Sequence, residues 1–391
     1  MVGINQKEVR IGMVGYKFMG KAHSNAYQNA PFFFDLPVKP IKQAICGRNE
    51  EGVKSAAEKM GWNSWETDWR KLIEREDIDL IDIVTPNNRH AEIAIAAAEA
   101  GKHVYCEKPL AMTIEESRRM LEAVEKNNVI HMVNFNYRFA PAVQLAKKMI
   151  TDGKIGKVNH IRALYLQDWI MDPDFPLVWR LEKSVCGSGA LGDLAAHSLD
   201  LARFLVGEIE EVSARLKTFV TDRPAVAESS GLSGKASLTD KRKVEVDDAV
   251  VVIASFENGA FGTFEATRFA GGNRNSNQFE INGEKGSIKW NAEQLNELQV
   301  YFTEDDPSFQ GYKTINVTEE VHPYGEVYWP SAHIIGYEHT FHNLVAELMQ
   351  GLADSTVPSP NFKDGHINQA TLNAIEASSK TNQWQSIKAF I

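Results

Sequence analysis

Residues 8–20 read EVRIGMVGYKFMG, a short apolar strand that runs into a glycine turn and then into a helix. This order is typical of the phosphate-binding turn of a dinucleotide fold. The match to Gly-x-Gly-x-x-Gly is incomplete, because Gly15 and Gly20 hold the outer positions while Lys17 replaces the middle glycine. A tight turn without a ligand therefore stays open as an alternative, although a cation beside a helix N-terminus suits a phosphate.

Strands and helices go on alternating to about residue 134. The pattern predicts further strands at 41–46, 80–84, 103–106 and 130–134, separated by helices at 50–60, 90–101 and 115–127. Such alternation builds a doubly wound parallel sheet, the Rossmann architecture, whose ligands bind beyond the carboxyl ends of the strands. The candidate cofactor-binding residues there are Gly15, Lys17, Phe18, Met19, Gly20, Gly47, Arg48, Thr85, Pro86, Asn87, His90, Glu107 and Lys108.

The loop after the second strand bears on which dinucleotide fits. NAD enzymes commonly place Asp or Glu there to bind the ribose hydroxyls, whereas an arginine accommodates the 2′-phosphate of NADP. This chain has Gly47-Arg48-Asn49, with no acid at the tip. The sequence slightly favours NADP and leaves NAD open, the alternative being that Arg48 is a solvated loop cation.

The pattern changes after residue 134. A helix at 141–152 and another at 190–206 accompany predicted strands at 157–168, 210–220, 246–256, 260–270, 276–283, 286–291, 297–303 and 311–317. Residues 222–245 read as an exposed loop, and 337–350 and 364–380 as helices. We therefore predict an α/β Rossmann domain at 1–134. An α+β domain follows at 135–391, with a large, mostly antiparallel open sheet and helices on one face.

Composition excludes several classes of protein. Acidic residues outnumber basic ones 52 to 42 in 391 residues, a net charge of −10, so the chain lacks the basic footprint of a nucleic-acid binder. No apolar run reaches the roughly 18 residues that span a bilayer. The N-terminal MVGINQKEVR lacks the apolar core of a secretory signal, which predicts a cytoplasmic protein. The chain has three cysteines, an odd number, and they lack the spacing of metal ligands. We therefore expect no disulfide framework and no structural metal site.

Two places in the chain suggest acid–base chemistry. Asp193 and His197 are four residues apart on a predicted helix, so the carboxylate can orient the imidazole as a general base of near-neutral pKa. Lys108 follows a buried strand and precedes Pro109, where a cis bond would aim the lysine inward toward a substrate hydroxyl. Either feature alone has an ordinary structural explanation: a helix-start acid near a core histidine, and a surface lysine at a rigid turn.

Four stretches together resemble the Gfo/Idh/MocA oxidoreductase family. They are the glycine turn with His23, Thr85-Pro86-Asn87 with His90, AGKHVYCEKPLA at 100–111, and GSGALGDLAAHSLDLARFLVG at 187–207. The resemblance implies that Lys108, Asp193 and His197 form the catalytic group. We assign His197 as general base, Asp193 as its partner, and Lys108 as the residue that orients the reacting hydroxyl. The family also implies homo-oligomers, dimers or tetramers, built sheet to sheet.

The family resemblance implies a sugar-like substrate. A pocket for a sugar needs hydrogen-bonding side chains and often an aromatic wall. Besides Asp193 and His197, the candidate substrate residues are Tyr137, Arg138, Gln167, Trp169, Trp179, Arg180 and Tyr324. Each has an alternative explanation, since aromatic residues are more often core and Arg138 could simply pair with an acid. Asp168, Asp172 and Asp174 read as solvated loop carboxylates, and we predict no metal site.

The function expected from the resemblance is an NAD(P)-dependent dehydrogenase that oxidises a secondary hydroxyl of a sugar, an anhydrosugar or a cyclitol. Two alternatives remain. One is a redox-neutral glycoside hydrolase or epimerase that keeps its nicotinamide bound and oxidises the sugar only transiently. The other is a non-catalytic sensor of nicotinamide and sugar, since a fold does not guarantee chemistry.

Overall fold

The computed structural model describes residues 7–229 and 234–391. The first six residues, which belong to the segment judged for a secretory signal, lie outside it. The chain forms two compact units. The first unit contains the chain up to Asn136 together with Tyr337–His366, and the second contains Tyr137–Gly336 and Ile367–Ile391. The predicted boundary at 134 divides the chain once, whereas the structure returns Tyr337–His366 to the first unit.

The first unit contains a six-stranded sheet in which every pairing is parallel. Its strands are β1 (Glu8–Val14), β2 (Lys39–Cys46), β3 (Ser64–Glu66), β4 (Leu80–Ile83), β5 (His103–Cys106) and β6 (His131–Val133). Their order is β3-β2-β1-β4-β5-β6, so the strand order reverses between β1 and β4, next to the glycine turn. This confirms the predicted doubly wound sheet; the short β3 was not predicted.

The second unit contains a nine-stranded sheet that is mostly antiparallel, as predicted. Its strands are β7 (Val158–Leu166), β8 (Ile209–Lys217), β11 (Ala249–Phe256), β12 (Phe261–Thr267), β13 (Ser276–Gly283), β14 (Gly286–Asn291), β15 (Glu297–Phe302), β16 (Lys313–Asn316) and β17 (Gln385–Ser386). The order is β16-β15-β14-β13-β7-β12-β11-β8-β17, with β7 and β12 parallel. Burial alternates along β11, where Val250 and Val252 are buried while Val251 is 53% and Ile253 39% exposed, so one sheet face is open.

Ten α-helices complete the described parts of the two units. They are α1 (Phe18–Phe33), α2 (Glu50–Met60), α3 (Trp69–Glu74), α4 (His90–Glu99), α5 (Ile114–Lys126), α6 (Pro141–Thr151), α7 (Lys183–Cys186), α8 (Ala196–Leu205), α9 (Tyr337–Asp354) and α10 (Phe362–Thr381). Within the described ranges, none is long and apolar enough to cross a membrane. The three cysteines are free and buried, in agreement with the sequence.

The prediction of an exposed loop at 222–245 is wrong. Strands β9 (Asp222–Ser229) and β10 (Gly234–Lys243) form an antiparallel hairpin, whose connection at 230–233 lies outside the described residues. Tertiary contacts override the polar composition here. The buried Arg223 guanidinium donates to the carbonyl oxygens of Ile170 (2.6 Å) and Asp172 (2.8 Å), and Leu177 N donates to Pro224 O (2.7 Å).

Candidate active site

The turn between β1 and α1 requires its two glycines. Gly15 has φ +115°, and a Cβ there would lie 2.7 Å from the Val84 carbonyl oxygen. A Cβ at Gly20 would lie 2.9 Å from the Gly15 carbonyl oxygen, so the helix and the strand meet at the closest approach that backbone allows. Lys17 has an ordinary φ of −83°, which explains why the middle position accepts a lysine.

This turn fits the phosphates of a dinucleotide. Within the described chain, no side chain caps the N-terminus of α1 and no acid lies in its first turn, so its N–H groups present partial positive charge. Lys17 and Phe18 are exposed at this end. The Thr85 hydroxyl oxygen is buried and has no hydrogen-bond partner among residues 7–229 and 234–391, at the carboxyl end of β4 beside the turn. An unpartnered hydroxyl at this place is a ready donor or acceptor for a cofactor.

The loop after β2 is shaped by Tyr16. A Cβ at Gly47 would overlap the Tyr16 ring, and one at Gly52 would lie 2.7 Å from the Tyr16 hydroxyl. Gly47 is thus needed for packing, and Arg48 beside it is exposed. Asn49 caps α2 by accepting from Gly52 N at 2.7 Å.

His90 connects two of the predicted loops. Its Nδ1 lies 3.0 Å from the Pro109 carbonyl oxygen and its Nε2 3.0 Å from the Thr85 carbonyl oxygen. The ring is fully buried, and burial lowers its pKa. This buried side chain holds the Thr85 loop against the Lys108–Pro109 turn, and its cofactor contact stays a prediction.

A charged cluster, defined as His23, Asp82 and Glu107, is buried behind that turn. His23 Nδ1 lies 2.9 Å from an Asp82 carboxylate oxygen, and its Nε2 lies 3.0 Å from Glu107 Oε1. Tyr27 donates to Asp82 (2.9 Å), Asn134 donates to Glu107 (2.6 Å), and the Tyr105 ring stacks on the imidazole at 4.8 Å. Burial opposes the charge of His23, yet the two carboxylates outweigh burial and raise its pKa to about 10.

The charged cluster holds the backbone of Lys108. Burial by itself would raise the pKa of Glu107, but the hydrogen bond and charge of His23 outweigh it, so the pKa of this carboxyl is lowered. The ionised carboxylate accepts from the Lys108 backbone N–H at 3.1 Å. The Lys108–Pro109 bond is cis, as predicted. Glu107 is therefore a buried support of the lysine, and its cofactor contact stays a prediction.

In the second unit, the helix that carries Asp193 and His197 begins with a π-turn. Residues Leu191–Ala195 are π-helical and lead into α8, a local irregularity that often occurs at functional sites. The buried Asp247 anchors this start, accepting from Gly189 N (2.8 Å) and Leu191 N (2.7 Å). A Cβ at Gly189 would overlap the Asp247 carbonyl, which explains a glycine in the GSGALGD stretch.

Arg268, which the sequence did not suggest, pairs with Asp193. Its fully buried guanidinium donates to Asp193 Oδ2 at 2.8 Å and to the Gly189 carbonyl at 3.2 Å, and lies 5.4 Å from the Trp169 ring centre. The arginine follows β12 directly, where an isolated sequence gives no indication of its partner. The ion pair with this cation fixes the direction of the Asp193 carboxylate.

Five side chains form a neutral hydrogen-bonded network, and two of them contact the His197 ring. We call Tyr137, Tyr165, Gln167, Trp169 and Asn275 the amide–tyrosine network. The Tyr137 ring meets the His197 ring edge-on at 4.9 Å, and Tyr165 lies 5.9 Å from the same imidazole. The structure thus brings together three predicted substrate residues, Tyr137, Gln167 and Trp169, through Asn275, which the sequence analysis missed.

The remaining predicted substrate residues have different surroundings. Arg138 forms a buried pair with Asp200 (2.6 Å), which fits the alternative explanation that it pairs with an acid, and its contact with substrate stays a prediction. Arg180 lies over the Trp179 ring at 4.3 Å, and both are partly exposed. Tyr324 lies in the loop between β16 and α9, with a positive φ of 61°.

The acidic loop differs in part from its prediction. Asp168 is paired with Arg274 at 3.2 Å and its side chain is only 11% exposed, while Asp172 and Asp174 are exposed as predicted. In the part of the chain that the structure describes, no three His, Cys, Asp or Glu side chains are grouped as a metal site would require.

Comparisons with known proteins show which family the chain is similar to. A model described as an oxidoreductase family with an NAD-binding Rossmann fold matches residues 9–135, and one for the GFO/IDH/MocA C-terminal domain matches residues 143–289. A levoglucosan dehydrogenase from Pseudarthrobacter phenanthrenivorans is 45% identical over 385 residues, which cover 97% of this chain and 98% of the relative.

Two solved structures are also similar. An oxidoreductase domain protein from Kribbella flavida has a TM-score of 0.92 at 50% identity, covering 97% of this chain and 99% of that chain. A levoglucosan dehydrogenase in complex with NADH and levoglucosan has a TM-score of 0.92 at 45% identity, covering 97% of this chain and all (100%) of that chain.

Proposed function

This chain belongs to the GFO/IDH/MocA oxidoreductase family, as its motifs predicted, and we therefore propose that it oxidises a secondary hydroxyl of a sugar with a nicotinamide dinucleotide. The observation that supports this best is that one chain carries both an uncapped glycine turn fit for a dinucleotide and a His197 ring packed against two hydrogen-bonded tyrosines, Tyr137 and Tyr165. Because the relative that matches nearly the whole chain is a levoglucosan dehydrogenase, an anhydrosugar is the first substrate class to test, and free sugars and cyclitols come next.

In the proposed mechanism, separate groups accept the hydride, remove the hydroxyl proton and bind the reacting oxygen. The bound dinucleotide would accept the hydride. His197 takes the hydroxyl proton as general base, and Asp193, paired with Arg268, orients the imidazole and stabilises its charged form. The Lys108 ammonium, whose backbone Glu107 holds, binds the reacting oxygen and favours its alkoxide character. Gln167, Trp169, Tyr137, Trp179, Arg180 and Tyr324 are proposed to bind the rest of the sugar.

The cofactor is proposed to be bound at the carboxyl edge of the first sheet. Gly15, Lys17, Phe18, Met19 and Gly20 would hold the pyrophosphate, while Thr85, Pro86 and Asn87 would line the path to the nicotinamide. Arg48, exposed beside an acid-free loop tip, slightly favours NADP, and NAD is accepted as well. One site can bind both NADP and NAD, because a solvated arginine adds affinity for the 2′-phosphate of NADP without excluding the 2′-hydroxyl of NAD.

The test is reduction of NAD and NADP, followed at 340 nm, with levoglucosan, glucose, xylose and inositols. We expect net reduced cofactor with at least one substrate. His197→Ala should lower kcat by about a hundredfold to ten-thousandfold, the range of general-base catalysis. His333→Ala, an exposed histidine of the same unit, is the matched control and should keep full activity. Equal activity of His197→Ala would exclude the mechanism, and turnover of sugar without net reduced cofactor would favour the redox-neutral alternative.

Two further proposals concern the state of the protein in the cell. Three buried, free cysteines favour a reducing compartment, which supports the cytoplasm. The open sheet face, with Val251, Ile253 and Phe261 exposed, supports a homo-oligomer in which a second copy covers it. Light scattering of the wild type and of Val251→Lys would test the oligomer; identical masses would contradict this face as the interface.

A further inference from the structure

The hydrogen bonds of the amide–tyrosine network run in one direction. The Trp169 indole N–H can only donate, and it meets Gln167 Oε1 at 2.8 Å. Gln167 must therefore turn its amide nitrogen to the other side, where it donates to Asn275 Oδ1 at 3.0 Å. The orientation of one amide thus determines the orientation of the next.

The same direction extends to the two tyrosines. With its oxygen facing Gln167, Asn275 presents its nitrogen to Tyr137, and this N–H donates to the Tyr137 hydroxyl at 2.9 Å. Tyr165 donates to Asn275 Oδ1 at 2.7 Å. Since that bond uses its single proton, the 3.1 Å contact between the two hydroxyls is completed by a proton from Tyr137.

Asn275 is well placed to transmit this direction because its backbone is held from two sides. The backbone N–H groups of Arg274 and Asn275 both donate to Glu293 Oε1, at 2.9 and 2.8 Å. The Arg274 guanidinium pairs with Asp168, which lies between Gln167 and Trp169 in the chain. The loop that carries Asn275 is therefore held to the segment that contains Gln167, whose amide donates to Asn275.

We propose that Asn275 is a positioning residue for sugar binding, which transmits the direction of the Trp169 indole N–H to the hydroxyls of Tyr165 and Tyr137 beside the His197 ring. The proposal rests on the proposed function, since Gln167, Trp169 and Tyr137 are taken to face the sugar. A site whose donors and acceptors have fixed directions discriminates among hydroxylated substrates, because a substrate group of the wrong polarity leaves a buried partner unpaired.

The first test does not depend on activity. In ¹H–¹⁵N spectra, the Trp169 indole signal is identified by its loss in Trp169→Phe. Asn275→Ala should shift this signal and speed its exchange with solvent, because Gln167 loses the acceptor that holds it in place. The Trp179 indole, in the same unit, is the internal control and should not change. An unchanged Trp169 signal in folded Asn275→Ala would overturn the proposal.

The second test is a double-mutant cycle on kcat/KM for the sugar. Trp169→Phe and Asn275→Ala should each lower kcat/KM about tenfold, and the double variant should also lose about tenfold, because both break one chain of hydrogen bonds. Trp179→Phe combined with Asn275→Ala should instead multiply the two single losses. The KM for the dinucleotide should stay unchanged throughout. Multiplying losses for the Trp169 pair would overturn the proposal.

A more conservative variant covers the case in which Asn275→Ala does not fold. Asn275→Asp keeps the size and still accepts from Gln167 and Tyr165, but it cannot donate to Tyr137. We expect an unchanged Trp169 indole signal with a lowered kcat/KM; wild-type kcat/KM would overturn the proposal. If the wild type oxidises no sugar, the proposed function fails, while the indole signals still decide whether the network has the inferred direction.

Discussion

The two units support their candidate catalytic residues by different physical means. In the first, the charged cluster places an imidazolium between two carboxylates, all buried, behind Lys108. In the second, the amide–tyrosine network places two tyrosine rings beside His197 and links neutral groups whose donors and acceptors alternate. Both networks are polar, the first buried and the second partly buried, but the first depends on charge and the second on hydrogen-bond direction.

The difference determines how each network responds to change. A buried charge that loses its partner is strongly destabilising, since it cannot be solvated. A neutral hydrogen bond contributes less, and its loss is local. The charged cluster should therefore govern stability and its dependence on pH, while the neutral network should govern substrate recognition with little dependence on pH.

The largest effect is expected for His23→Gln. This change leaves Asp82 and Glu107 buried without their cation, which should cost about 3 to 5 kcal/mol of unfolding free energy. Calorimetry should show a large decrease in the Tm of the transition that reports on the first unit. Glu92→Gln, which removes an exposed pair with Arg70 (2.6 Å), is the control and should cost no more than about 1 kcal/mol. Equal costs for the two variants would show that the cluster is not held by charge.

An intermediate effect is expected from alkaline pH. The pKa of His23 is raised from 6.5 to about 10, so its stabilising contribution is fully present below pH 6.5 and is lost as the pH rises through about 10. The Tm should decline across this range, and ¹⁵N shifts should show a doubly protonated His23 ring at pH 8. In Asp82→Asn, which removes the strongest favourable charge, the decline should move to lower pH. A neutral ring at pH 8 would contradict the assignment.

The smallest effect is expected for Tyr165→Phe in the neutral network. It removes one hydroxyl that donates to Asn275, and should cost about 1 to 2 kcal/mol of unfolding free energy. The cost should be the same at pH 6 and at pH 9, as followed by urea denaturation. A cost that changes over this range would mean that the second network also depends on charge.

Much of the fold could be predicted because it is encoded locally. The helix predicted at 50–60 is α2 (Glu50–Met60), and the strands predicted at 276–283 and 286–291 match β13 and β14 at both ends. Hydrophobic periodicity and turn residues act over a few residues, so they are visible in one sequence. The hairpin of β9 and β10 was missed because its stability comes from Arg223 and distant carbonyl groups.

Candidate site residues could be named from the sequence where a motif carries the chemistry. Lys108, Asp193 and His197 stood out from short stretches, and Gly15 and Gly20 from the turn they make. Arg268 and Asn275 gave no such signal, because each acts on partners far away in the chain: Arg268 on Asp193, and Asn275 on Tyr137. The interpretation of Arg138 turned on Asp200, a partner 62 positions away.

The sequence alone determined most of the order of elements, the two sheet types and the family, and it indicated the candidate reacting residues. Spacing and residue type carry that information because backbone sterics and periodic burial constrain which residues occur at neighbouring positions of the chain. Only the tertiary structure decided which buried polar groups satisfy one another: His23 with two carboxylates, Arg268 with Asp193, and Asn275 with the tyrosines. Hydrogen bonds and ion pairs require atoms within about 3 Å, and the fold alone brings such distant residues to that distance.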